Sequence, residues 1–190
     1  TKSKFPFNFK LQVNYTLSNN ILKITYTVLN KSNTNLYFSI GAHPAFNTTY
    51  NGSSLNDYLL LVDKNKFEVT KLKNGYIDNT YETIEIQNNT LKLNSSLFDN
   101  DAIILENNQI NKIELLNNAK THSVKMICEN WPFFGIWTKS NNSKFICLEP
   151  WYGISDSSTH DQQFINKKGI IELKSNSNFE CNYSIAFNTK

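Results

Sequence analysis

The chain has 190 residues, of which 39% are hydrophobic and 13% aromatic, enough for one domain with a proper core and too apolar for disorder. Its formal charge of +3 comes from scattered lysines, with no arginine anywhere. Nucleic-acid sites gather charge into a patch and lean on the guanidinium fork, so nucleic acid is not an expected partner. No apolar run approaches the roughly 20 residues of a membrane span, and no basic-then-apolar leader opens the chain.

The first residues alternate apolar and polar from Phe5 to Tyr15, predicting a strand that carries Leu11, Val13 and Tyr15 on one face. Asn19-Asn20 marks a turn into a second alternating run (Ile24, Tyr26, Val28), which ends in Asn30-Lys31-Ser32-Asn33. A third run at 36–40 completes an expected antiparallel meander. Short apolar or alternating runs follow at 58–62, 66–72, 81–87, 90–93, 102–105, 110–116, 124–127, 133–137, 145–148, 170–173 and 181–187. Residues 95–98 read as a helical turn. Strands at such intervals, without sustained helical periodicity, predict an all-β sandwich of twisted sheets, with 1–190 as one domain.

Cys128, Cys147 and Cys181 are odd in number and widely spaced. That fits buried, reduced thiols and a cytoplasmic location better than a disulfide frame. None stands beside a base in sequence, and no cluster of His, Cys and carboxylates has metal-ligand spacing, so neither a catalytic thiol nor a metal is expected. Asparagine is so abundant that Asn-Xaa-Ser/Thr triplets arise by chance and do not indicate secretion. There is no glycine-rich phosphate loop, nucleophile elbow or dinucleotide fingerprint.

Two stretches stand out. In Phe145-Ile146-Cys147-Leu148-Glu149-Pro150-Trp151-Tyr152-Gly153, strand alternation puts Phe145, Cys147 and Glu149 on one face and Ile146 and Leu148 on the other. Both faces are apolar, as in a strand between two layers, and a carboxylate there must be paired or used. In Ser39-Ile40-Gly41-Ala42-His43-Pro44-Ala45-Phe46-Asn47, Pro44 biases His43 to extended backbone, and Gly41 and Ala42 leave room for a ligand. His122 and His160 lie in polar turns and are expected at the surface. An imidazole and a carboxylate leaving strand ends beside aromatics suit paired proton transfer.

These two stretches, with 97–104 (Leu97-Phe98-Asp99-Asn100-Asp101-Ala102-Ile103-Ile104) and Pro132-Phe133-Phe134-Gly135-Ile136-Trp137, resemble the aldose 1-epimerase (galactose mutarotase) superfamily, most closely its LacX-like branch. The likeness runs from about Phe5 to the last strand, as if the chain were the C-terminal two-thirds of a member with the N-terminal strands missing. It implies the large twisted antiparallel β-sandwich of the mutarotases, a hexose substrate and no cofactor. His43 matches the acid that protonates the ring oxygen, Glu149 the base that takes the anomeric proton, and Asp101 a carboxylate that binds sugar hydroxyls. Phe46 and Trp151 are expected as apolar walls against the sugar.

The family's upstream segment holds a further His and an Arg that contact the sugar. Neither is present, so this chain reads as a fragment or a natural truncation. Loss of the first strands is expected to leave apolar sheet and an unpaired edge exposed. The alternatives are a non-catalytic carbohydrate-binding sandwich and a purely structural or interaction domain. Only Lys139 and Lys144 lie near the motifs, which disfavours a phosphorylated sugar; the preferred sugar and the oligomeric state are not readable. The mutarotase reading requires the fold to bring His43 opposite Glu149, with space between them for one hexose.

Overall fold

The computed structural model describes residues 3–139 and 143–189. Its strands are β1 (Phe9–Ser18), β2 (Ile21–Asn30), β3 (Leu36–Phe38), β4 (Ile40–Gly41), β5 (Ala45–Asn47), β6 (Tyr58–Val62), β7 (Lys66–Lys73) and β8 (Tyr76–Glu85). They continue with β9 (Thr90–Lys92), β10 (Ile103–Leu105), β11 (Lys112–Asn117), β12 (His122–Ile127), β13 (Phe133–Trp137), β14 (Phe145–Tyr152), β15 (Ile171–Leu173) and β16 (Asn178–Thr189). Every pairing between these strands is antiparallel.

One sheet runs β1-β2-β16-β12-β11-β6-β9; the second runs β4-β14-β13-β10-β7-β8, with β5 also on β14; β3 and β15 form a separate ribbon. The expected all-β sandwich is the observed architecture. The expected opening meander is not. Of those three runs, only the first two pair with each other, as the β1–β2 hairpin, while β2 takes the C-terminal β16 as its other neighbour. The third run breaks at Ser39, where β3 leaves for β15 and β4 joins β14.

Turns here are made by asparagine. Among the described residues, ten of the thirteen non-glycine residues with positive φ are Asn, including Asn19 of the β1–β2 turn at 52°. Asn tolerates the left-handed region because its short amide bonds locally. At 95–98 the expected helical turn is a 3-10 turn, with the Asn94 side chain accepting the Leu97 N–H at 3.2 Å.

The core lies between the sheets. Ile24, Leu60, Ile113 and Met126 from one meet Phe67, Leu105, Ile136, Ile146 and Leu148 from the other. Trp131, in the β12–β13 connection, is buried among them and its indole N–H donates to the Asn182 carbonyl at 2.8 Å. The second sheet is apolar on its outer face too, where Phe133, Ile104 and Ile77 pack with Ile154, Ala102 and Trp151. That second apolar layer explains why β14 reads as apolar on both faces.

At the opposite edge, β1 presents Leu11, Val13, Tyr15 and Leu17 to solvent, with Tyr15 and Leu17 each 70% exposed. These four face the same side as Val28 and Ile24 across the β1–β2 ladder, so they prolong the core face beyond its cover. Among the described residues, no helix is long and apolar enough to cross a membrane.

Candidate active site

Both strands that flank the start of the second sheet follow one register along β14. Gly41 pairs Trp151 and Ala45 pairs Cys147, so the position between them sets His43 opposite Glu149. The ladder bonds on either side are Ala42 N–H to the Pro150 carbonyl (3.0 Å) and Leu148 N–H to the Pro44 carbonyl (3.2 Å). Each would be doubled in a regular ladder, but the returning donor is in one case Pro150 and in the other Pro44, which have no N–H. His43 and Glu149 therefore occupy a non-hydrogen-bonded pair, the kind whose side chains stand closest.

The side chains meet. His43 Nε2 lies 3.4 Å from Glu149 Oε2, with the imidazole 63% exposed and the carboxylate only 4% exposed. The two sequence-predicted groups thus share one site, but they touch instead of facing each other across a gap. The pair opens to solvent through the exposed imidazole of His43. Burial pushes the Glu149 carboxyl up to about 7, against the lowering pull of His43 and of a hydrogen bond from Trp151.

Trp151 is held across β14 by what is missing beside it. A Cβ on Gly41 or on Gly135 would run into its indole ring, and Gly135 is the cross-strand partner of Glu149 on β13. The ring thus lies over one glycine and against another, on the face of the strand that carries Glu149. Replacing Trp151 by Phe is expected to raise the Glu149 midpoint above about 7, because a lowering contact is lost; carboxyl carbon NMR through a pH titration reads it directly. A midpoint that stays put or falls would contradict this assignment.

Phe46 requires a correction. It pairs with Ile146, which is buried in the core, and it packs against that same core cluster. It is therefore on the other face of the sheet from Glu149 and cannot wall the same site. Asp101 sits in the turn before β10 with φ of 81°, its carboxylate accepting the Ala102 N–H at 2.7 Å. A cleft there is lined by Thr70, Leu72, Ile84, Leu97 and Ile103. β13 lies between Asp101's strand and β14, so Asp101 shares the sheet with the dyad without being brought against it.

Three site residues escaped the sequence reading. Trp137, cross-strand from Cys147, stands edge-on to the His43 ring with centroids 6.2 Å apart. Cys147 is on the dyad's face, and its thiol Sγ, a His43 nitrogen and a Glu149 oxygen all lie within 4.8 Å of one another. Burial, then Glu149, pushes that thiol up to about 12. Residues far apart in sequence have thus come together into a donor cluster that spacing alone did not reveal. Glu106, one residue past β10, is a second buried carboxylate; it accepts from the Thr70 hydroxyl at 2.8 Å and is ion-paired with Lys168.

The remaining histidines serve local structure. His122 opens β12 and its ring lies on that of Tyr50, centroids 4.7 Å apart. His160, expected at the surface, has a side chain only 16% exposed. Its Nδ1 accepts the Gln162 N–H at 3.1 Å and Nε2 lies 3.6 Å from Asp161, folding the loop after β14 on itself. Cys128, Cys147 and Cys181 are all free and buried, as their spacing predicts.

A model of the aldose 1-epimerase family matches residues 1–172, and the chain belongs to that family. Among curated relatives, the chromosomal and plasmid LacX proteins of Lactococcus lactis subsp. lactis are 31% identical over 159 residues, 80% of this chain and 53% of theirs. A galactose mutarotase related enzyme from Lactobacillus acidophilus superposes with a TM-score of 0.87 at 30% identity, covering 99% of this chain and 64% of that one. A galactose mutarotase-like protein from Lactobacillus casei ATCC 334 gives 0.84 at 28% identity, covering 98% and 66%. The chain spans about half the length of the curated relatives it matches.

Proposed function

We propose that this site is that of an aldose 1-epimerase, interconverting the α and β anomers of a hexose. The observation that carries the reading is the cross-strand pair itself: an exposed imidazole 3.4 Å from a buried carboxylate on one open face. In a pyranose the ring oxygen and the anomeric hydroxyl are bonded to the same carbon. An acid and a base that must reach both need to be neighbours, not opposed across the ring.

Ionised Glu149 takes the anomeric hydroxyl proton while protonated His43 gives one to the ring oxygen, and the bond from that oxygen to the anomeric carbon breaks. The open aldehyde turns about its first carbon–carbon bond. Neutral His43 then takes the proton of the attacking hydroxyl, and Glu149 returns its own to the carbonyl oxygen. Both groups end as they began. A carboxyl near 7 suits the task, because it accepts a proton readily and gives it back at neutral pH.

Trp137 and Trp151 flank the pair and offer apolar surface to the C–H faces of the sugar. Asp101, two strands away from β14 in the same sheet, is assigned to hydroxyls remote from the anomeric carbon by the family match alone. Lys168 on the same face is taken up by Glu106, which supports an uncharged hexose over a phosphorylated one. Three free thiols support a reducing, cytoplasmic setting. The test is polarimetry of freshly dissolved α-D-glucose and α-D-galactose with the whole protein. Decay of rotation faster than in buffer is expected; sugar binding by calorimetry without any acceleration would leave a carbohydrate-binding sandwich instead.

A further inference from the structure

Cys147 has no part in those proton transfers, yet its sulfur lies on the floor of the same face. The three donor atoms of His43, Cys147 and Glu149 lie within 4.8 Å of one another. Zinc bonds of about 2.0 Å to nitrogen or oxygen and about 2.3 Å to sulfur set tetrahedral donors roughly 3.5 Å apart. Small side-chain rotations close that difference, and the exposed His43 has the freedom to make them. We propose that His43, Cys147 and Glu149 form a binding site for a soft divalent cation, Zn2+ or Cd2+, which occupies the sugar site as an inhibitor and not as a cofactor.

The donor set fixes the class of ion. Thiolate and imidazole suit zinc and its congeners, whereas calcium and magnesium seek oxygen ligands alone. Glu149 and Cys147 are two residues apart on one strand, so they share a face by period, and His43 completes the triangle from the neighbouring strand. Three protein ligands leave a fourth position directed to solvent, on the side from which the sugar arrives. The cross-strand neighbours of Cys147 are Trp137 on one side and the small, exposed Ala45 on the other, so the buried thiol is approached from the Ala45 side.

Binding must displace protons. The Cys147 thiol loses one to solvent, Glu149 gives up any it holds, and His43 binds as the neutral imidazole, so affinity rises with pH. An ion so held consumes both the acid and the base of the proposed reaction, and inhibition is competitive with sugar. That last consequence rests on the proposed function; binding itself does not.

The test uses the whole protein and Co2+, whose thiolate charge-transfer absorption in the near ultraviolet reports a bound sulfur. One equivalent is expected to produce the band. Cys147→Ser is expected to abolish it, and Cys128→Ser and Cys181→Ser to keep it. His43→Asn, at an exposed position where folding is not at stake, is expected to weaken Co2+ binding about tenfold or more. No band at saturating Co2+, a band that survives Cys147→Ser, or unchanged affinity in His43→Asn overturns the proposal. In polarimetry, Zn2+ is expected to raise KM for the parent and not for Cys147→Ser; equal inhibition of both would place the ion elsewhere. If the parent lacks mutarotase activity, the Co2+ titration still decides the site.

Discussion

His43→Asn and Glu149→Gln are each expected to slow anomer interconversion by about 10²–10⁴-fold, the usual contribution of a positioned acid or base. Neither change should threaten folding. The imidazole is mostly in solvent, and glutamine keeps the shape of a carboxylate whose burial already favours its neutral form. In the proposed reaction the two groups act as a unit, since a proton taken at one oxygen is matched by one given at the other. The double variant should therefore lose little more than the worse single one. Initial rates with α-D-galactose, checked against circular dichroism of the same samples, give the comparison. Parental rates in both variants would remove the dyad from the chemistry.

The second large effect is on stability, and its sign is opposite to that on activity. Glu149 has its carboxyl raised to about 7 in the folded chain, mainly by burial, from an ordinary value of 4.5. Below the ordinary value both folded and unfolded states hold the proton and the site costs nothing. As pH rises toward 7 the unfolded chain releases its proton first, so folding loses stability until the folded carboxyl ionises too. The full cost, reached at mildly alkaline pH, is up to about 3 kcal/mol. Glu149→Gln is thus expected to stabilise the protein at pH 8, by up to about 3 kcal/mol, and to change little at pH 4. Urea unfolding at both values checks it; a variant less stable than the parent at pH 8 would mean that the carboxylate is well paired and not strained.

Much of this was legible in the chain, because strand alternation is a local signal. Runs at 58–62 and 133–137 coincide with β6 and β13, and the same rule put Cys147 on the face of Glu149. The rule also carried a warning about Phe46. It differs in parity from His43 and Ala45, so a strand through them must turn Phe46 to the other side, as the register with Ile146 does.

Pairing between distant strands was not legible. Nothing local in Ile21–Asn30 names β16 as its partner, and nothing in 36–40 foretells that β3 and β4 part company. The metal-donor triangle was hidden for the same reason, since it needs His43 and β14 in one register. A subtler sign was available: His43 and Glu149 each precede a proline, and two prolines set diagonally across a ladder leave the pair between them flanked by a single hydrogen bond on each side.

The most direct measurement is magnetisation exchange between the two anomeric protons of a hexose at equilibrium, with the whole protein present at catalytic concentration. The account predicts exchange well above that in buffer, lost on replacing either His43 or Glu149. A protein that binds the sugar yet leaves exchange at the buffer rate would contradict it.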